Sequence, residues 1–520
     1  MNNLFKKLLL PIFLGIVFFS LLGCNESVLD RSNERSRPVF QEINSVTPTQ
    51  ESVSFNIDVT DTDDVGTITA IELYQGETLI EALTDLSVRD FTGLLSNNEY
   101  QIKVTYTYDL NDGKGIISEI IELDILTPLF NGKGTQENPY SIMTVEDFKS
   151  LDNLFGEYIN GYFIVKNNLD FTSYDYVSIN NFQGVLDGNG HTLSNFKSDS
   201  FKEDDFKGLF VSNYGTIKNL SLINIDLAIE TTNSIELGFI ATYNWGTIKN
   251  VNIEMTIDFD SYGSIYLGAI SASNYGEIID IYSEMHTTLY SGGRIVVGGV
   301  ASNNTGLIKH SQVGATILVT SSSSESLVGG IVGEINSGGV FDSFSNVDIE
   351  AKSLSNSYTY AGGIVGLAYG YSKDILIKNT YSLGTIVASN GGYRASAGGI
   401  AGKLYSIYGG ATVEVHNSFS LADVFSNGDG VYRAGGITGA VRIGDNSSVV
   451  TINNFISIDS RFYHRNILKD NSSDIELRGI QYIDEVNEYF FIDILGWNES
   501  IWNMQISEEN KFPSFIGYKE

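Results

Sequence analysis

The chain of 520 residues carries 31 basic against 63 acidic residues, a formal net charge of −32, with 42% hydrophobic residues, 53 glycines and one cysteine. So acidic a surface repels phosphate backbones, which argues against nucleic acid as a partner, and the apolar content argues against a disordered chain. A lone cysteine excludes an intrachain disulfide, a zinc cluster of thiolates and, if it is modified, a catalytic thiol.

Residues 1–24 read as a secretory leader, in which Lys6 and Lys7 precede an apolar run from Leu8 to Leu22. The run is shorter than the roughly 20 apolar residues that a spanning helix needs. Its end, Leu21-Leu22-Gly23-Cys24, resembles the lipobox of bacterial lipoproteins. That resemblance implies cleavage before Cys24, lipid on its thiol and new amino terminus, and a location in the bacterial cell envelope, anchored to the membrane and facing outside the cytoplasm. Residues 25–37 are polar, charged and aperiodic, as a tether would be.

From 38 to 128 apolar residues alternate with polar ones, at Val53, Phe55, Ile57 and Val59 and again at Ile102, Val104 and Tyr106. Period-two alternation with turns such as Asn111-Asp112-Gly113 predicts an antiparallel β-sandwich. The stretch from Gly93 to Val104 resembles the tyrosine-corner strand of fibronectin type III domains, with Tyr100 as the corner residue. The early tryptophan usual in that family is missing. Asp61, Asp63 and Asp64 ahead of Gly66 read either as a solvated turn or as a calcium loop, since hard cations take carboxylate oxygens. No other cofactor is expected.

Pro128 and Pro139 bracket a boundary, and no proline occurs between Pro139 and Pro513. Proline cannot donate to a ladder, so its absence fits strands bonded on both sides. Thr144 with Asp147 reads as an N-cap ahead of a short helix, and residues 129–159 as the cap of a β-stack. Gly208, Gly238, Gly268, Gly298, Gly329, Gly362, Gly398, Gly435 and Gly479 then follow one another at intervals of 30, 30, 30, 31, 33, 36, 37 and 44. A period near 30 means stacked units, none of which buries its apolar face alone. These glycines, with Asp187-Gly188-Asn189-Gly190-His191, resemble secreted bacterial right-handed parallel β-helix proteins with GLUG-type repeats. The expected fold is therefore all-β: an N-terminal immunoglobulin/fibronectin III-like β-sandwich followed by a right-handed parallel β-helix solenoid over residues 160–494. In that family pattern His191 belongs to a turn between coils and not to a catalytic site.

Each unit joins short apolar strands through an Asn-aromatic-Gly turn, as in Asn213-Tyr214-Gly215 and Asn244-Trp245-Gly246, with glycine expected to supply positive φ. Alignment gives a polar column: Asn219, Asn250, Asp280, His310, Asp342, Asn379, Asn417 and Asn454. Recurrence at one corner favours a structural ladder over metal or acid–base chemistry. Extra residues enter the C-terminal units at 367–376, 403–414 and 440–450, and insertions on one side of a repeat mark its binding face. These stretches carry Tyr369, Tyr371, Tyr405, Tyr408 and Arg442, and a neighbouring set carries Tyr393, Arg394, Tyr432 and Arg433. Tyrosine and arginine anchor interfaces and stack on sugars, so the nine form the expected ligand-contact surface, the alternative being hydrated coil edges. Residues 495–520, with Trp497 and Trp502, read as a cap over the open end of the stack.

No metalloprotease helix, P-loop or nucleophile elbow is present in the sequence. The expectation is therefore an adhesin-like surface protein, not an enzyme, binding an extracellular glycan or protein. The alternatives are a polysaccharide lyase or glycosidase and a non-binding spacer of the envelope.

Overall fold

The computed structural model describes residues 35–520 apart from 177, 198–206, 408, 429–430, 445–446, 458–461, 465–466, 470–479, 484–486, 488, 505–511 and 516–520. The leader, Cys24, Tyr408 and Gly479 lie outside the described residues. Among the described residues no helix is long and apolar enough to cross a membrane. The chain divides after Leu129 into two compact units.

The first unit is built from two antiparallel sheets. One orders the strands Val39–Pro48, Ser52–Thr60 and Asp90–Thr92; the other orders Thr78–Ala82, Gly66–Gln75, Glu99–Tyr108 and Ile117–Leu126. Alternation decides which side chains enter the core: Tyr100, Ile102, Val104, Tyr106 and Tyr108 are buried, and the residues between them are not. Tyr100, Ile102 and Val104 pack with Val53, Phe55, Ile71, Leu73 and Phe91. The Tyr100 hydroxyl accepts the Leu95 amide at 2.9 Å and pins the preceding loop. In the turn, Asp61 accepts the Tyr106 hydroxyl at 2.7 Å and the Gly66 amide at 2.8 Å. The Tyr106 hydrogen bond draws the Asp61 carboxyl below its usual range. Asp63 accepts the Ser36 amide, and no group of three or more His, Cys, Asp or Glu among the described residues is placed to hold a metal ion.

The second unit is a parallel β-helix. Thr144 caps the helix Val145–Lys149 through a complete capping box with Asp147, and Phe148 from that helix packs edge-on to Phe171 and Phe210. Three parallel sheets follow. The long sheet is made of 15-residue strands such as Thr247–Ser261 and Glu277–Ser291, which corrects the expectation that every strand of a unit is short. A first short sheet stacks Ile235–Gly238, Ile265–Gly268, Ile295–Gly298, Ser326–Gly329, Tyr358–Gly362, Arg394–Gly398 and Val431–Gly435. A second runs from Ile179–Phe182 through Ala301–Asn304 and Val332–Ile335 to Val365–Gly370, Ala401–Ser406 and Thr438–Ile443. Register is kept from coil to coil, Ile248 opposite Ile278 and Ile278 opposite Ile308, and these three isoleucines are fully buried. Each such side chain contributes about 1.5–3 kcal/mol on leaving water.

The polar corner has a conformational cause. Asn219, Asn250, Asp280, His310, Asp342, Asn379 and Asn417 all have φ between 45 and 57°, the left-handed region that Asn, Asp and His tolerate better than other side chains. They also bond along the column, Asn250 to Asn219 at 2.7 Å, His310 to Asp280 at 3.0 Å and Asn379 to Asp342 at 2.8 Å. The expected last member needs correction. Asn453, with φ 55°, holds the corner and donates to Asn417. Asn454 is instead buried and accepts the Ser418 amide.

A second ladder lies inside the coils, where Asn213 donates to Asn244, Asn244 to Asn274 and Asn274 to Asn304 at 2.7–2.8 Å. The aromatic residues that follow them face outward, and Trp245 stacks on Tyr275 at 4.0 Å. The glycines of these turns are not at positive φ, contrary to expectation. A methyl group on Gly246 would overlap the carbonyl oxygen of Gly215, and one on Gly276 that of Gly246. Close stacking of backbone, not turn conformation, demands glycine there.

The C-terminal segment packs on the coils through its aromatic residues. Its Phe490, Phe491, Trp497 and Trp502 lie along the flank against the column Phe344, Tyr381, Phe419 and Phe455. Tyr381 donates to the Pro513 carbonyl at 2.7 Å, and the Trp497 indole donates to the Asn417 carbonyl at 3.0 Å.

A basic aromatic cleft between the two short sheets

Because the coils stack in register, one outward position per coil becomes a column running along the stack. In the second short sheet Tyr369 lies opposite Tyr405, and Tyr405 opposite Arg442. The two rings stack at 5.0 Å and 22°, and the Arg442 guanidinium lies 5.4 Å from the Tyr405 centroid. In the first short sheet Tyr358 lies opposite Arg394, and Ser396 opposite Arg433. Tyr393 meets Tyr358 edge-on at 5.0 Å, and Arg394 lies 5.0 Å over the Tyr393 ring. Tyr371, 56% exposed, meets Tyr369 edge-on at 6.1 Å. The insertions thus begin as extensions of strands, which is why their side chains align and do not scatter.

Tyr432 does not belong to this surface. It is 2% exposed and lies opposite Ala395 in the ladder, because alternation that turns Arg433 outward turns its neighbour inward. The residue missing from the expected set is Lys403. It is 8% exposed, donates to the Tyr360 hydroxyl at 3.0 Å, and stands 4.4 Å from the Tyr405 centroid, 4.8 Å from that of Tyr360 and 5.5 Å from that of Tyr358. Its position two residues before Tyr405 in one strand was the available signal, since i and i+2 share a face.

Tyr360, Arg394, Ser396, Lys403, Arg433 and Arg442 line a cleft of about 370 Å³. Burial pushes the Lys403 amine down to about 8, and the charges of Arg442 and Arg394 push in the same direction. Burial raises the Tyr360 hydroxyl. Among the described residues, none of the four cations forms an ion pair with a carboxylate, whereas Arg294 on the same side of the stack pairs with Glu325 at 3.1 Å and Glu334 at 2.7 Å. Arg294 and Glu334 line a second cleft of about 420 Å³ with Glu236, Tyr266 and Asn303. Tyr243 donates to Glu236, and burial with that carboxylate pushes its hydroxyl up to about 12. Val296, Leu327, Tyr360 and Leu367 form one buried cluster in the same two sheets.

No protein-family profile matches the chain. Part of it is similar to Halomucin of Haloquadratum walsbyi, 30% identical over 149 residues, which are 26% of this chain and 2% of that protein. It is also similar to a protein of Evansella cellulosilytica provisionally described as a Gly-rich membrane protein, 30% identical over 139 residues, 24% of this chain and 15% of the relative. The chain thus spans only a small part of both. Among solved structures it is similar to a protein of Bacteroides ovatus provisionally assigned as an immunoglobulin A1 protease, at TM-score 0.41 and 17% identity, covering 75% of this chain and 96% of that one. A structure named IgA1 Protease aligns at TM-score 0.33 and 17% identity, covering 75% of this chain and 29% of that one. Both neighbours bear the name of an enzyme, so the expectation of a protein without enzymatic activity is withdrawn. At those scores they assign no proteolysis to this chain.

Proposed function

We propose that the chain is a lipid-anchored protein of the bacterial cell surface that binds an extracellular ligand, adhesin-like, in the cleft between the short sheets of its C-terminal coils. The observation that carries this reading is the in-register convergence of Tyr369, Tyr405 and Arg442 in one strand column with Lys403 held among three tyrosine rings. Aromatic faces and guanidinium groups in a concave site are the side chains that bind sugars and protein anchors. Lipid on Cys24 would hold the chain to the membrane. The three- and four-stranded sheets of the first unit and the Tyr100 hydroxyl bond support a fibronectin type III-like domain as a spacer. The repeat period supports the GLUG-type assignment. A glycan array probed with the wild-type chain and with Tyr405→Ala tests the binding reading, and retention of every signal by the variant would remove it.

One observation favours a second reading, an enzyme acting on carbohydrate in the same cleft. An amine with its pKa near 8 is close to the working range of a general base, and Lys403 is such an amine beside three arginines. Incubation with a polysaccharide panel, followed by product sizing, tests it: depolymerisation by the wild type and none by Lys403→Ala is the supporting result.

A further inference from the structure

We infer that the ligand of this cleft is an acidic saccharide, recognised through a carboxylate or sulfate group placed among Arg394, Lys403, Arg433 and Arg442; the inference rests on the cleft being the ligand site. The chain carries 63 acidic residues against 31 basic, yet four of its cations line one cleft of about 370 Å³, and among the described residues no carboxylate is paired with any of them. Glu325, the carboxylate nearest in electrostatic effect on Lys403, is bound to Arg294. Mutual repulsion of like charges in a half-buried site is unfavourable unless an anion completes it. Guanidinium groups bind carboxylate and sulfate oxygens in a bidentate fork.

Lys403 adds a built element to the cluster. Its ammonium is nearly buried, bonded to Tyr360 and surrounded by the rings of Tyr358, Tyr360 and Tyr405. Ring surface is available beside it: Tyr393, which meets Tyr358 edge-on, is 37% exposed and carries Arg394 over its ring. A saccharide uses both features, its ring against tyrosine and its acid group against the cations, whereas an acidic peptide uses only the second.

Calorimetric titration of the full chain with four probes tests this: an oligogalacturonate, its methyl ester, a sulfated disaccharide and an oligoglutamate. Binding of the oligogalacturonate or the sulfated disaccharide about tenfold or more tighter than the ester, lost in Arg442→Ala and partly restored in Arg442→Lys, is the expected result. Preference between the first and third probes tells uronate from sulfate. Equal binding of ester and acid with loss in Tyr405→Ala would overturn the acidic-saccharide inference and leave the cleft as a binding site. Binding of oligoglutamate with the saccharides silent would overturn it in favour of an acidic peptide. Binding unaffected by both Tyr405→Ala and Arg442→Ala would overturn the cleft reading and the inference together. Melting curves matching the wild type separate loss of binding from loss of fold.

Discussion

The Lys403 ammonium donates to the Tyr360 hydroxyl at 3.0 Å across 43 residues of sequence, joining the facing edges of two sheets that share no strand. The folded chain binds the Lys403 proton more weakly than the unfolded chain does, because burial and the neighbouring Arg442 and Arg394 oppose the charge. The unfolded chain therefore carries more protons between about pH 8 and the ordinary lysine value of 10.5, and stability contributed by this group rises with pH across that window. Lys403→Met is expected to melt at or above the wild-type temperature at pH 7 and to lose this rise. Melting scans from pH 7 to 10.5 check it, and a variant that keeps the full rise refutes the assignment. An anionic ligand is expected to bind more weakly as pH climbs through about 8. The groups facing Lys403 are Tyr358, Tyr360, Tyr405, Arg394, Arg433, Arg442 and Glu325.

Gly246 distinguishes two reasons for a glycine. If it were there for positive φ, Asn would be tolerated and Ala would not. The overlap of a Cβ with the Gly215 carbonyl makes both substitutions costly, by about 1–3 kcal/mol. Urea unfolding of Gly246→Asn and Gly246→Ala should give similar losses; a clearly milder Asn variant would restore the turn explanation.

Asn274 accepts from Asn244 and donates to Asn304 within the buried ladder. Asn274→Ala leaves two buried amide groups without these partners and is expected to cost about 1–3 kcal/mol per group. The neighbouring Tyr275, 40% exposed, should matter less. Chemical denaturation of Asn274→Ala and Tyr275→Ala compares them directly.

At the last corner, Asn453→Gly should be nearly neutral, since glycine adopts the left-handed conformation freely, while Asn453→Val should cost about 1–2 kcal/mol. Asn454→Ala removes the acceptor of the Ser418 amide and the donor to Val415 and should be more damaging than Asn453→Ala in urea unfolding. Equal effects at 453 and 454 would contradict the placement of the corner.

What could be read from the chain alone depended on how many residue types a position admits. Gly208, Gly238 and Gly268 were legible because backbone crowding there rejects a side chain, and the column from Asn219 to Asn417 because left-handed φ admits few residues. The column failed at Asn454 because two asparagines adjoin and only the backbone says which one turns the corner. Tyr432 and Arg433 are alike in the sequence for the same reason: composition marks a stretch, and strand register decides which of two neighbours faces out. Lys403 carries no compositional signal because it belongs to the site by sharing a face with Tyr405, not by sharing its residue type. The contact of Tyr381 with Pro513, 132 residues away, has no local signature, so the course of the C-terminal segment could not be foreseen.

Register between coils also makes the molecule adjustable in whole steps. The carboxylates Glu236 and Glu334 and the cations Lys403 and Arg442 occupy different rungs of the same two short sheets, each rung displaced by about 4.8 Å from the next. Insertion of one further coil between Asn336 and Tyr358 would move the two clefts apart by a single rung and leave the residues lining each unchanged. A change in coil number therefore retunes the spacing of the two clefts without rebuilding either.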